Sequence, residues 1–439
     1  MHARLRAPAT TDAIAGHAAD FFDGGSVLVE RWRRHWDWFH ERARNGQDFS
    51  CRSLADPVGP VGQVHLRSGH ILRGINFGSR DHLNLAADPR LRAAAGIALD
   101  RYGMHCGATV SEAGNSPPGL LLEQRLAAFL GYADCTIFPN EWSACYGALR
   151  LLVRREDHVL IDAEAPRVFL EAALAATPNV QRLPHASIAA LATRVKGLRR
   201  VYHRAGILVV TATCFPRTGK VPDLREAQDL CRRYDATLLA YADRDLGTIG
   251  QGGRGCLEEQ DYLGGIDLLV GNLAGVFGAP GGFLACNNPA LKLALQLYSG
   301  PLADAAAISP VQASIILAAL AIVDSAEGQA RRERLRGNIL RARTALANHG
   351  FRPGARPMPT LTLELGDVAY ARAATLFAHD AGVILTLDEP IHAGQGPACW
   401  RAELMADHTE AQIDCLAEVA GEAKARRHRL GDANDSLSL

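Results

Sequence analysis

The chain has 439 residues, of which 48% are hydrophobic and 21% charged, and its formal net charge is +0. That length is ample for a large core in two or three domains, and the neutral balance gives no electrostatic case for nucleic acid or an anionic membrane. Ten scattered cysteines form no CxxC pair, so neither a metal site nor a disulfide framework is expected. No apolar run approaches a membrane span. Asp12, Asp20 and Asp23 argue against a transit peptide in the arginine-containing start of the chain. A cytoplasmic protein is the expectation.

In chain order, 27–45 reads as a helix, with Trp32, Trp36 and Phe39 spaced i, i+4, i+7 on one face. Residues 63–77 alternate like a hairpin turning at Ser68-Gly69-His70. Asp88-Pro89 supplies an N-cap and a first-turn proline to a helix that Gly103 ends. A strand–helix–strand texture follows. Strands are expected at 158–162, 206–211, 236–241, 266–270 and 282–286, with helices at 120–130, 171–176 and 224–234 between them. This alternation argues for a mostly parallel sheet covered by helices. Beyond Pro301–Pro310 the pattern changes to a long helix over 312–349, short strands at 359–366 and 383–387, and a helix over 406–423 opened by Thr409…Gln412. The last dozen residues, 428–439, read as a polar, unstructured tail.

Six blocks, in order and with matching spacing, resemble the α-oxoamine synthases, fold-type I pyridoxal-phosphate (PLP) enzymes that condense an acyl thioester with an amino acid. INFGSRDHLNLAADPRL, LEQRLAAFLGYADCTIFPNEWSACYGAL, DAEAPRVFLEAA, TATCFPRTGKVPDL, YADRDLGTIGQGGRG and WRAELMADHTEAQID carry the likeness, from about Ile75 to about Glu422. The segment GNLAGVFGAPGG, Gly271–Gly282, is similar to the family's G-T-F-S-K-A-x-G-x-x-G-G. The resemblance implies an α/β protein of PLP-transferase fold type I: an N-terminal arm, helix and hairpin (1–74), a large mostly parallel domain (75–300), a smaller α+β C-terminal domain (301–427) and a tail (428–439). It also implies a dimer, with the N-terminal helix lying across the partner subunit. Packing on its own domain is the equal alternative for that helix, since periodicity shows a buried face and not what buries it.

Matched residue by residue, the cofactor site of the family is replaced. Gly275 stands where the resemblance puts the Schiff-base lysine, Tyr241 where it puts the carboxylate on the pyridine nitrogen, and Pro166 where it puts the stacking histidine. Ala212 replaces a supporting glutamate, Asn272 and Ala274 replace Thr and Ser, and Gly119 replaces a histidine. The phosphate cup reads Asn140, Glu141, Trp142. A carboxylate about 4 Å from a phosphate costs roughly 4 kcal/mol per unit of like charge at an effective dielectric of about 20. The expectation is therefore a degenerate PLP site and no cofactor.

Candidates for other chemistry in the cleft are Cys214, Asp243 and Arg244, with Arg401, Asn272, Glu141 and Trp142 as substrate-binding residues. Arg401 matches the arginine that binds the substrate carboxylate in the family, or else forms a salt bridge. Glu141 and Arg244 are expected to pair across the vacated space. A thiol at Cys214 or Cys145 needs a base and a lowered pKa to take an acyl group. His105, beside Cys106, and His392 are the histidines in plausible loops; His203 and His408 read as cap or surface positions. The pattern resembles the lysine-lacking long-chain-base subunit of serine palmitoyltransferase. Two functions follow: a PLP-free partner or regulatory subunit of a lysine-bearing synthase, in a homodimer or heterodimer, or a PLP-independent acyltransferase using an acyl-CoA or acyl-carrier-protein thioester.

Overall fold

A computed structural model describes residues 13–435; the first twelve residues, Asp12 among them, lie outside it. The described chain divides into two compact units, one formed by 80–337 with 354–359, the other by the remaining N- and C-terminal segments.

The larger unit is built on seven strands: β1 (Asp134–Phe138), β2 (His158–Asp162), β3 (Val180–Leu183), β4 (Ile207–Ala212), β5 (Thr237–Ala242), β6 (Leu268–Asn272) and β7 (Gly282–Cys286). Their order is β1-β7-β6-β5-β4-β2-β3. β7 runs antiparallel to both its neighbours. The other pairings are parallel. The near-continuous apolar runs predicted this: β2, β4, β6 and β7 are buried at every position, as strands covered on both faces must be.

The strand near 266 starts two residues later than expected. The Asp267 carboxylate accepts from Leu238 N and Gln228 Nε2, so it tethers a neighbouring strand and helix, and the ladder begins at Leu268. β1 and β3 were not expected: β1 opens on Asp134, and four-residue β3 holds Gln181 and Arg182 side by side. Three helices matter for the site: α1 (Glu141–Leu152), capped by Asn140; α2 (Arg167–Ala176), entered through Pro166; and α3 (Ile188–Val201), capped by Ser187. Helix and strands meet in one core, where Phe138, Cys145, Leu149, Phe169, Leu239 and Val270 are buried together.

The other unit carries the predicted hairpin, Val61–His65 paired with Ile71–Asn76, whose turn holds Gly69 at φ +91°. A second sheet there joins Thr360–Gly366, Ala398–Glu403 and Thr386–Asp388. The N-terminal helix runs Arg33–Arg44 after a 3-10 turn, but its buried face differs from the expected stripe. Trp38 is the buried aromatic, stacked on Phe21 and donating to Ala13 O, whereas Trp32 and Trp36 are more than half exposed.

The long helix over 312–349 is two, Pro310–Val323 and Ala326–Asn348, bent by 76°. Ser325 supports the break: its hydroxyl donates to Ile322 O and accepts from Gly328 N. The supposed tail is helical over most of its length, because the helix capped by Thr409 and Gln412 runs Glu410–Asp435. Among the described residues, no single helix is long and apolar enough to cross a membrane.

Candidate active site at the carboxyl edge of the large sheet

Parallel strands present ligand sites beyond their carboxyl ends, and there Tyr241, Asp243, Arg244 and Asn272 converge with Glu141. Tyr241 is the fifth residue of β5 and is buried. Its hydroxyl favours the ionised form of the Glu141 carboxyl at the start of α1. Burial raises the Glu141 pKa, the neighbouring Asp243 raises it further, and the Tyr241 hydroxyl and the charges of Arg80 and Arg244 act against them. Tyr241 is pushed well above the ordinary phenol range by the same burial, followed by the Asp243 and Glu141 charges. Asn272, ending β6, donates from Nδ2 to Asp243 Oδ1 at 3.0 Å and accepts from Ala274 N at 2.8 Å.

The expected Glu141–Arg244 pair is not the short contact. Arg244 Nε donates to Asp243 Oδ2 at 3.0 Å, and its charge reaches Glu141 only as a minor influence. Charge arithmetic pairs opposite signs, but a half-buried carboxyl whose pKa is rising gains as much from a neutral phenol donor. The carboxylate beside Arg244 is desolvated: Asp245 is 1% exposed and accepts from Thr213 Oγ1 and Cys256 N.

Gly275 sits in the turn between β6 and β7, where a Cβ would lie 3.3 Å from Arg80 O. Trp142 is half exposed and stacks on Tyr146, rings 4.8 Å apart. Cys214 is buried against Cys256, whose sulfur together with burial holds the Cys214 thiol well above its ordinary pKa. Its sulfur, that of Cys256 and an Asp245 oxygen lie within 4.8 Å of one another. Cys145 is fully buried and likewise pushed up.

Arg401 belongs to the other unit, where it donates to Asp388 Oδ2 at 2.9 Å and lies 3.2 Å from the Glu403 carboxylate. His105, His203 and His392 are exposed. His408 is not a surface position: it is 4% exposed, accepts from Met405 N and stacks against Phe77. Sequence reasoning missed Arg80, whose carbonyl borders Gly275, and the group Asp162, His185 and Thr218. These come from three strand ends far apart in sequence, and no local spacing marks them.

A seven-stranded sheet of this order, with its polar site beyond the carboxyl ends and a glycine turn between β6 and β7, defines the fold-type I PLP-transferase class. Two solved serine palmitoyltransferase structures share the fold at 22% identity and TM-score 0.83, each covering 91% of this chain and 98% of its own. One is a Lys→Ala variant of the S. paucimobilis enzyme with a bound PLP–myriocin aldimine, the other the enzyme with PLP as internal aldimine. The 8-amino-7-oxononanoate synthase of Anaeromyxobacter dehalogenans strain 2CP-1 is 31% identical over 382 residues, 86% of this chain and 93% of that enzyme. No protein-family profile matches the chain. The chain belongs to the α-oxoamine synthase family.

These comparisons correct the expectation of no cofactor. The solved relatives hold PLP, one of them in a lysine-to-alanine variant, so a missing lysine does not exclude the cofactor. The expectation rested on the replacements at Gly275, Tyr241, Pro166 and Glu141 together, and the family's PLP-binding members overturn it. The link itself has no partner here. The chain has four lysines. Lys196 and Lys220 are exposed on α3 and the loop after β4, Lys292 pairs with Asp134 and Glu123, and Lys424 bonds Gly350 O. None stands at position 275, so the residues present do not fit an internal aldimine there.

Proposed function

We propose that this chain serves acyl-thioester and amino-acid condensation as the lysine-lacking member of a dimer, a partner or regulatory subunit of a lysine-bearing α-oxoamine synthase in the cytoplasm. The observation that carries this reading is Gly275, in the turn between β6 and β7 where the resemblance puts the lysine. Tyr241 and Glu141 act on each other where the family places a pyridine-nitrogen carboxylate and a phosphate cup. Asn272 and Asp243 close the adjoining strand end. Such a centre keeps the family's shape while offering no amine at the reacting position. PLP, which the solved relatives bind, is the cofactor to supply in any assay.

The test is condensation by the purified chain, given PLP, an acyl-CoA and an amino acid, with the amino-ketone product quantified by mass spectrometry. The chain alone is expected to give no product above a protein-free blank, and to give product when mixed with a lysine-bearing family member. Turnover by the chain alone contradicts the proposal.

A further inference from the structure

At the β2–β4 end of the same edge, three residues meet that the family reading leaves without a role. Asp162 is the last residue of β2, His185 follows β3 by two residues, and Thr218 lies in the loop after β4. β3, β2 and β4 are adjacent and parallel, so all three side chains arise at carboxyl ends. Asp162 Oδ1 lies 2.9 Å from His185 Nδ1, and His185 Nε2 lies 3.0 Å from Thr218 Oγ1.

The hydrogen bonds assign the roles. The Asp162 carboxylate also accepts from Glu164 N at 2.8 Å and Ala186 N at 2.7 Å. A carboxylate only accepts, so Nδ1 carries the imidazole proton and Nε2 presents its lone pair to the Thr218 hydroxyl. Phe215 O, the other acceptor near that hydroxyl, is farther at 3.4 Å. Lys220 N donates to Thr218 Oγ1 at 3.3 Å, which favours negative charge developing on that oxygen. The Phe215 ring meets His185 edge-on at 4.5 Å and holds the imidazole plane. Ala186, next to the histidine, sits at φ +48°, a costly conformation for a residue with a Cβ and one that gathers at functional sites.

We propose that Thr218, His185 and Asp162 form a nucleophile, a base and its orienting group that accept an acyl group from a thioester or activated ester. This does not rest on the partner-subunit reading. Nucleophile and base within hydrogen-bond reach, with the base oriented by a third group, is the arrangement that recurs on unrelated folds for acyl transfer. His185 is 15% exposed at its side chain and Thr218 is partly exposed, so a small acyl donor reaches them. In the reaction, Thr218 Oγ attacks the carbonyl carbon while its proton moves to His185 Nε2, and Asp162 stabilises the imidazolium. The carbon–sulfur bond breaks, and the leaving thiolate takes the proton back from Nε2. The products are a threonine ester and a free thiol; water then hydrolyses the ester and restores the hydroxyl.

The experiment treats the full chain with p-nitrophenyl acetate and, separately, acetyl-CoA, followed by intact-mass analysis and peptide mapping. One acetyl group is expected on Thr218. Its formation should fall by about a hundredfold in His185→Gln, the scale of a lost general base, vanish in Thr218→Ala and persist in Thr218→Ser. Absence of acetyl-Thr218 in the wild type under both donors overturns the proposal without any variant, as does acetylation confined to cysteine or lysine. An ester on Thr218 that forms equally fast in His185→Gln, folded by circular dichroism, overturns it too.

Discussion

The two stretches of this carboxyl edge differ in how their polar groups are spent. On the β5–β6 side, each group is tied to another site group: Tyr241 to Glu141, Asn272 to Asp243, and Arg244 to Asp243. On the β2–β4 side, the chain of bonds runs one way, from a carboxylate through an imidazole to a hydroxyl at the accessible end. The first arrangement closes on itself, and the second ends in a group with a proton to give. With glycine at position 275, the polar groups nearby are spent on one another, which is what burial demands of polar groups.

That contrast can be broken most sharply through the glycines around the closed side. A Cβ at Gly282 would lie 2.4 Å from Asn140 O and 2.7 Å from Glu141 Cα, backbone atoms that cannot swing away. Gly282→Ala should cost about 3 kcal/mol of unfolding free energy in urea, the upper range for overpacking. Next in size, Tyr241→Phe removes the hydroxyl that favours the ionised Glu141 carboxyl and should cost about 1 kcal/mol by the same measurement. Gly275→Ala should be the mildest, about 0.5 kcal/mol or less, because its one close neighbour stands at 3.3 Å. A large loss there would mean that the turn is packed tightly and not merely vacated.

The pH dependence sharpens the same comparison. Glu141 has a folded pKa raised above its usual 4.5, by burial first and Asp243 second. A raised carboxyl keeps its proton longer in the folded state than in the unfolded one. Its contribution is thus fully present below the unfolded value and is lost as pH rises through the folded one. Glu141→Gln should equal the wild type near pH 4 and gain on it progressively above, read as urea midpoints across a pH series. Opposite movement would show that the arginines, not burial, govern this carboxyl.

Much of the fold was legible because its cause is local. The apolar runs of β2 and β7 are bounded as expected, and Asp88-Pro89 and Thr409…Gln412 cap helices as their chemistry requires. Gly275 was legible through the matched blocks on either side. What escaped depends on contacts between distant segments. Glu141 and Tyr241 are a hundred positions apart, and no sequence rule says that a carboxyl will choose a phenol over an arginine. Trp38, not Trp36, faces inward because Phe21 and Ala13 arrive from upstream to cover it.

The most direct test of the account is native mass spectrometry of this chain co-expressed with a lysine-bearing α-oxoamine synthase from its own host, with condensation measured on the same preparation. The account predicts a one-to-one heterodimer that makes amino-ketone faster than either chain alone. Two separate homodimers, with all the product made by one of them unaided, would contradict it.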